Sequence, residues 1–180
     1  PKSEMIPGET VKMGSQIKVY VTKVEAGTKG PLILLSRKHY GFVKRLFESE
    51  IPELADGTVI LYQVAREPGV RSKVAVYSTN DKIDAIGACI GARGSRIGNI
   101  LKELNGEKVD LVKYSNDPVE FIKNAMAPAK DVIVSIKDEE KKEAHIRSYY
   151  LLFPYVQALI SQLSVNAGFP PLIVQPARIT

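Results

Sequence analysis

From Ser15 to Val24 the apolar residues Ile17, Val19 and Val21 alternate with Lys18, Tyr20 and Thr22, the period of two that a half-buried strand requires. The turn-forming AGTKGP follows, and LILLS at 32–36 resumes the apolar pattern, so this stretch predicts an antiparallel hairpin. At His39 the period changes. Phe42, Val43, Leu46 and Phe47 recur at helical spacing as far as Glu50, and Ile51-Pro52 is a stop signal. TVILYQVA and RSKVAVYS, separated by REPGV, predict a second hairpin, with Arg66, Arg71 and Lys73 expected to keep its tip solvated.

Two short helices are predicted next, Asp84 to Ile90 and Ser95 to Leu104. Ile83, Ile86 and Ile90 line one face; Ile97, Ile100, Leu101 and Leu104 line the other, and Asn105-Gly106 ends the second helix. KVDLVKYS reads as a strand. NDPVEFIKNAMA reads as a helix capped by Asp117 with Pro118 at its first position, and DVIVSIKDE returns to strand. At residue 143 the composition breaks: KDEEKKE is wholly charged, whereas 144–180 carry only Arg147 and Arg178 as formal charges. In that last stretch Pro154 can open a helix bearing Tyr155, Val156, Leu159, Ile160 and Leu163, which Asn166-Ala167-Gly168 would end before FPPLIVQPARIT extends.

Between the two short helices lies Ile90-Gly91-Ala92-Arg93-Gly94-Ser95-Arg96-Ile97, two glycines three apart with an isoleucine on each outer side. This resembles the GXXG loop of KH modules, and the surrounding order helix, strand, strand, helix, helix, strand is that of the prokaryotic KH fold. The chemistry suits the residue types. Without Cβ atoms, Gly91 and Gly94 let a sugar-phosphate chain approach the backbone closely. The helix beginning at Ser95 offers free N-terminal amides to a phosphate, and Arg93 and Arg96 add positive charge. The flanking isoleucines are expected to anchor both helices. Of the strand tyrosines Tyr20, Tyr62, Tyr77 and Tyr114, which more often pack than stack bases, Tyr114 follows the second helix and is the candidate for base stacking. The bland alternative is a helix-turn-helix contact in which small residues only allow close packing.

Composition narrows the field. The chain has 180 residues, 44% apolar and 25% charged, which excludes a largely disordered polymer, and its net charge of +5 suits an anionic partner. Cys89 is the only cysteine, so no intramolecular disulfide forms. With no signal-peptide pattern at PKSEMIPGE, a cytoplasmic location is expected. The run YYLLFPYVQALI is too short for a membrane span. GARGSRIG lacks the G-x-G-x-x-G spacing and no Gly-Lys-Ser/Thr occurs, so no nucleotide cofactor is expected. His39 and His145 lack companions at ligand spacing, and Asp138, Glu139 and Glu140 are interleaved with lysines as in a solvated turn, so neither a metal site nor catalysis is expected.

The phrases IPGETVKMGSQIKVYVTKV, KGPLILLSRKHYGFVKRLFESEIPEL, DGTVILYQVAREPGVRSKVAVYS, GACIGARGSRIGNILKELNGEKVDLVKYS and DPVEFIKNAMAPAK resemble the RNA-binding core of the NusA family of bacterial transcription elongation and termination factors. The resemblance runs from residue 6 to residue 143. It implies an α+β protein with the end of an OB-type barrel at 1–38, a KH module at 39–115, the start of a second KH-like module at 116–143 and an apolar tail at 144–180. It further implies a non-enzymatic role in pausing, termination and antitermination, with single-stranded RNA, RNA polymerase and other elongation factors as partners. Gly91, Ala92, Arg93 and Gly94 would be the backbone-clamping loop. Two departures stand out: only the last hairpin of a barrel is visible, as if the chain started mid-domain, and no second G-x-x-G follows Asp117. LLFPYVQALISQL and AGFPPLIVQPARI instead resemble the C-terminal part of the SecB family of export chaperones. Two alternatives therefore stay open: an engineered or recombined chimera without selected function, and a protein-interaction or chaperone-like module using Tyr149, Tyr150 and Phe153.

Overall fold

The computed structural model describes residues 1–28, 30–129, 132–138 and 143–147. The expected helix after Pro154, the SecB-like stretch and the contact residues Tyr149, Tyr150 and Phe153 lie outside the described residues. Strand β1 (Tyr20–Glu25) pairs antiparallel with β2 (Leu32–Ser36). Helix α1 (Tyr40–Glu50) follows and ends at the predicted stop, Ile51-Pro52, where a one-turn helix that the sequence pattern did not show, α2 (Pro52–Ala55), begins with Pro52 at its first position. Then come β3 (Val59–Glu67), β4 (Arg71–Ser78), α3 (Ala85–Ile90), α4 (Ser95–Glu103), β5 (Lys108–Lys113) and α5 (Pro118–Met126). Strands β6 (Ile133–Asp138) and β7 (Glu143–Arg147) pair with each other, so strand pairing runs across residue 143, where the charge composition changes.

The middle of the chain forms a three-stranded sheet in the order β3-β4-β5, with β3 antiparallel and β5 parallel to β4. A parallel neighbour needs a crossover. Residues 79–107 supply it, carrying α3 and α4 across one face of the sheet. Side-chain alternation divides the two faces. Val59, Val64, Val74 and Val76 meet Phe42, Val43, Leu46 and Phe47 of α1, Ala85 and Cys89 of α3, and Ile100 of α4 with Leu104 just beyond it, in the main core. Ala65, Ala75 and Val112 point the other way, onto Ala125 and Phe121 of α5.

Local chemistry starts and stops the helices. His39, Asp84 and Asp117 each accept, through a side-chain atom, a backbone N–H two residues ahead, the capping that satisfies an otherwise orphaned donor. Beyond α4 the left-handed Asn105 (φ 55°) and Gly106 (φ 85°) turn the chain into Glu107 and β5.

Three expectations need correction. Arg66 and Lys73 are not solvated tip residues: they are 8% and 4% exposed, because β3 and β4 run further toward the turn than the hydrophobic pattern reaches. Arg66 donates from Nε and Nη2 to the carboxylate of Glu107, which is 0% exposed, and from Nη1 to the carbonyls of Arg37 and His39. Ser72 Oγ and the Gly69 amide also donate to Glu107. Lys73 reaches Asp110 at 3.2 Å and the carbonyl of Ala127. Burial holds its ammonium below the usual pKa; Asp110 opposes that shift and Arg71 adds to it.

The second correction concerns the first hairpin, which is not half-buried: Val19, Val21, Leu32, Ile33, Leu34 and Leu35 are all at least 40% exposed. Two strands alone cannot bury a face. β1 also starts only at Tyr20, not at Ser15. Third, Ile90 is 38% exposed and is not among the residues of the main core, whereas Ile97 packs against that core as expected; Ala85 and Cys89 hold α3 to it.

Replacing Glu107 by Ala would strand the Arg66 guanidinium in the interior, so unfolding stability should fall by about 3–5 kcal/mol. A urea titration of Glu107→Ala, and of Arg66→Met with Glu107→Leu, should show the double variant recovering much of that loss. Burial pushes the Cys89 thiol up to about 11. A disulfide reagent at pH 8 should therefore leave Cys89 of the native protein unlabelled and modify it only after unfolding.

Candidate nucleic-acid interface

α3 ends where Gly91 adopts φ 72° and ψ 174°, a conformation that glycine alone reaches without strain. One tight turn, Ala92–Gly94, follows. Inside it Arg93 is left-handed at φ 54° and ψ 27°, and Gly94 is left-handed at φ 75° and ψ 17°. The Gly94 amide bonds to the Gly91 carbonyl at 3.1 Å and the Ser95 amide to that of Ala92, which closes the turn on itself. A left-handed arginine costs about 1 kcal/mol, so the neighbouring structure must enforce it. Gly94 is the N-cap of α4 and brings no side chain to its first amides, which stay at the positive end of the helix dipole.

The two glycines serve different ends. A Cβ built on Gly94 would meet nothing nearer than Ile97 Cγ2 at 3.9 Å, so this position faces open space. A Cβ on Gly91 would lie 2.6 Å from Arg96 Cγ and 2.9 Å from Cδ. The space vacated at Gly91 is filled by an arginine of the same protein. Sequence reasoning assigned both glycines to the approach of a ligand backbone; the structure leaves only Gly94 open for it.

The charges divide in the same way. Ala92, Arg93 and Ser95 are exposed, and Arg93 has no ion-pair partner among the described residues. Arg96 is half-buried: its Nη1 donates to Ala88 O at 2.7 Å and to Glu53 Oε2 at 2.8 Å. Glu53 lies on α2, 43 positions away, and no local pattern in the sequence signals that contact. Beside it, Asn99 of α4 donates to Glu50 of α1. The exposed Ile90 adds apolar surface next to the turn.

Tyr114 is not brought to this loop. It extends β5 on the sheet face opposite α3 and α4, its ring 4.0 Å from that of Tyr62 between centroids, 5.3 Å from Tyr77 and 5.2 Å from Phe121 of α5. Its hydroxyl donates to Asn116. Tyr20, the remaining strand tyrosine, stacks on His39 at 5.0 Å. Each of these rings packs against a neighbouring aromatic ring. No group of three or more potential metal-ligating side chains occurs among the described residues, and no described helix is long and apolar enough to cross a membrane.

Comparison with known proteins falls on the same segment. Residues 37–114 match the family described as NusA-like first KH domain. The transcription termination/antitermination protein NusA of Halalkalibacterium halodurans is 52% identical over 141 residues, 78% of this chain and 37% of that one. The Bacillus subtilis protein of the same name is 49% identical over 84% of this chain and 41% of its own, and that of Thermus thermophilus is 49% identical over 79% and 37%. The chain thus spans about two fifths of the length of the curated relatives it matches. Among solved structures, the crystal structure of APE1850 aligns over 73% of this chain and 96% of that one at a TM-score of 0.45 and 17% identity, too loose a match to bear on the site.

Because Tyr114 belongs to a packing cluster, Tyr114→Ala should lower stability by about 2 kcal/mol, part of the cost of an aromatic truncation in a core. Any affinity of the folded protein for single-stranded RNA should be unchanged in this variant. Urea unfolding and RNA titration of the same preparation check both halves.

Proposed function

We propose that the chain, whose residues 37–114 match the NusA-like first KH domain, binds single-stranded RNA through residues 91–95, as the KH portion of a transcription termination/antitermination factor. The observation that carries this reading is the exposed turn at Arg93 and Gly94. It combines an open backbone, a guanidinium without an ion-pair partner among the described residues and the uncapped start of α4 within five residues. Each of these attracts a phosphodiester. The missing Cβ at Gly94 removes the steric barrier, the amides at the start of α4 offer donors aligned with the helix dipole, and Arg93 supplies a fixed charge.

In this reading the phosphate chain passes over Gly94 and Ser95, and Arg93 neutralises one phosphate. Bases unstacked from the strand lean on apolar surface such as Ile90. No bond is made or broken, and the role is non-enzymatic. RNA polymerase and other elongation factors are the wider partners in this proposal, and the cytoplasm is its setting.

The left-handed conformation of Gly94 is one that aspartate tolerates, and nothing crowds its Cβ, so Gly94→Asp should fold normally. Its carboxylate would stand where the phosphate passes, and affinity for a short single-stranded RNA should fall at least about tenfold at moderate salt. Arg93→Ala should flatten the dependence of log K on log salt by about 0.7, the release expected for one contact to a single strand. Unchanged affinity in a folded Gly94→Asp protein would overturn the assignment.

A further inference from the structure

We propose that Arg96 is a positioning residue rather than a phosphate contact. It latches the turn in its binding shape by bridging α3, α4 and α2, and Glu53 is the fixed point it pulls against. The inference rests on the reading of residues 91–95 as the RNA contact and adds to it the device that holds them.

Three observations converge on this guanidinium. Its stem crosses Gly91 so closely that only a residue without a Cβ fits beneath it. Its Nη1 donates to the carbonyl of Ala88, in the last turn of α3, where carbonyls lack intrahelical partners. The same nitrogen meets Glu53 of α2. One side chain thus joins the end of the helix before the turn, the start of the helix after it and a third helix outside the crossover.

That is the constraint a left-handed, non-glycine residue such as Arg93 requires in order to persist. Electrostatics agrees. An unpaired Glu53 would place a carboxylate near a site proposed for phosphates, and Arg96 cancels it, leaving Arg93 as the residue that faces the ligand. A guanidinium already shared between a carbonyl and a carboxylate would also lose both contacts on turning toward RNA.

The test uses the full chain with a mixed-sequence single-stranded RNA oligonucleotide, titrated over a salt series, beside amide hydrogen exchange without RNA. For Arg96→Ala and Glu53→Ala, affinity should fall about tenfold at every salt concentration, with lines parallel to that of the wild type, because no phosphate contact is lost. Arg96→Lys should fall between, and melting temperatures should stay close to the wild-type value. Amides of residues 91–95 should exchange faster in both alanine variants.

The Glu53→Ala result is the sharper one, since removing a negative charge would by itself strengthen RNA binding. Equal or tighter binding there, or a salt slope reduced by about 0.7 in Arg96→Ala, makes Arg96 a direct phosphate contact and overturns the proposal. Should the wild type itself fail to bind RNA, the functional reading falls, while the exchange rates still decide whether the latch exists. Unchanged exchange at 91–95 refutes it.

Discussion

Glu107 has no surface in contact with water, and Arg66, Gly69 and Ser72 all donate to it. It stands at the one point where the crossover returns to the sheet, one residue before β5. A buried carboxylate is tolerated only when its oxygens are fully partnered, and here the partners come from β3, from β4 and from the turn between them. Arg66 in turn donates to the carbonyls of Arg37 and His39, which lead into α1. The ion pair therefore fixes where α1 begins, how the β3-β4 hairpin closes and where β5 enters. The nearby guanidinium of Arg37, over the ring of Phe42, extends the arrangement: it binds Glu9 and Glu103, and so ties the N-terminal segment to the end of α4.

From that frame the exposed turn follows. Ala85 and Cys89 seat α3 on the sheet, Ile100 and Leu104 seat α4, and the chain between them is too short to do anything but reverse sharply. Glycine at 91 makes room for an internal side chain and glycine at 94 leaves room outside. The same residue type at the same spacing thus meets two opposite demands. Likeness to the NusA-like first KH domain and to NusA proteins gives the RNA-binding proposal its context, and the geometry of Arg93 and Gly94 gives it its contact points.

Much of this was legible in the residues. The order of elements from His39 to Ser115, the Asp117 cap and the Asn105-Gly106 stop rest on local signals of period, capping and turn chemistry, and local signals survive tertiary packing. What could not be read depended on partners distant along the chain. Arg66 resembles any basic residue near a hairpin turn until Glu107, 41 positions later, is folded against it. Arg96 looks like one more loop cation until Glu53 faces it. Tyr114 follows the second helix in sequence, yet its ring packs with Tyr62, Tyr77 and Phe121, a placement that only the folded sheet decides. The alternation in β1 predicted a buried face, but alternation says nothing about what does the burying.

The parallel pairing of β4 with β5 has a consequence in time. Arg71 meets Lys108 and Val76 meets Lys113, partners 37 positions apart, whereas β3 and β4 meet across a tight turn. Closing so wide a span is entropically slow. During synthesis the hairpin leaves the ribosome complete, and Gly91 to Gly94 emerge before the strand that moors them. The turn is thus born without its frame, and acquires its shape only when the sheet gains its third member.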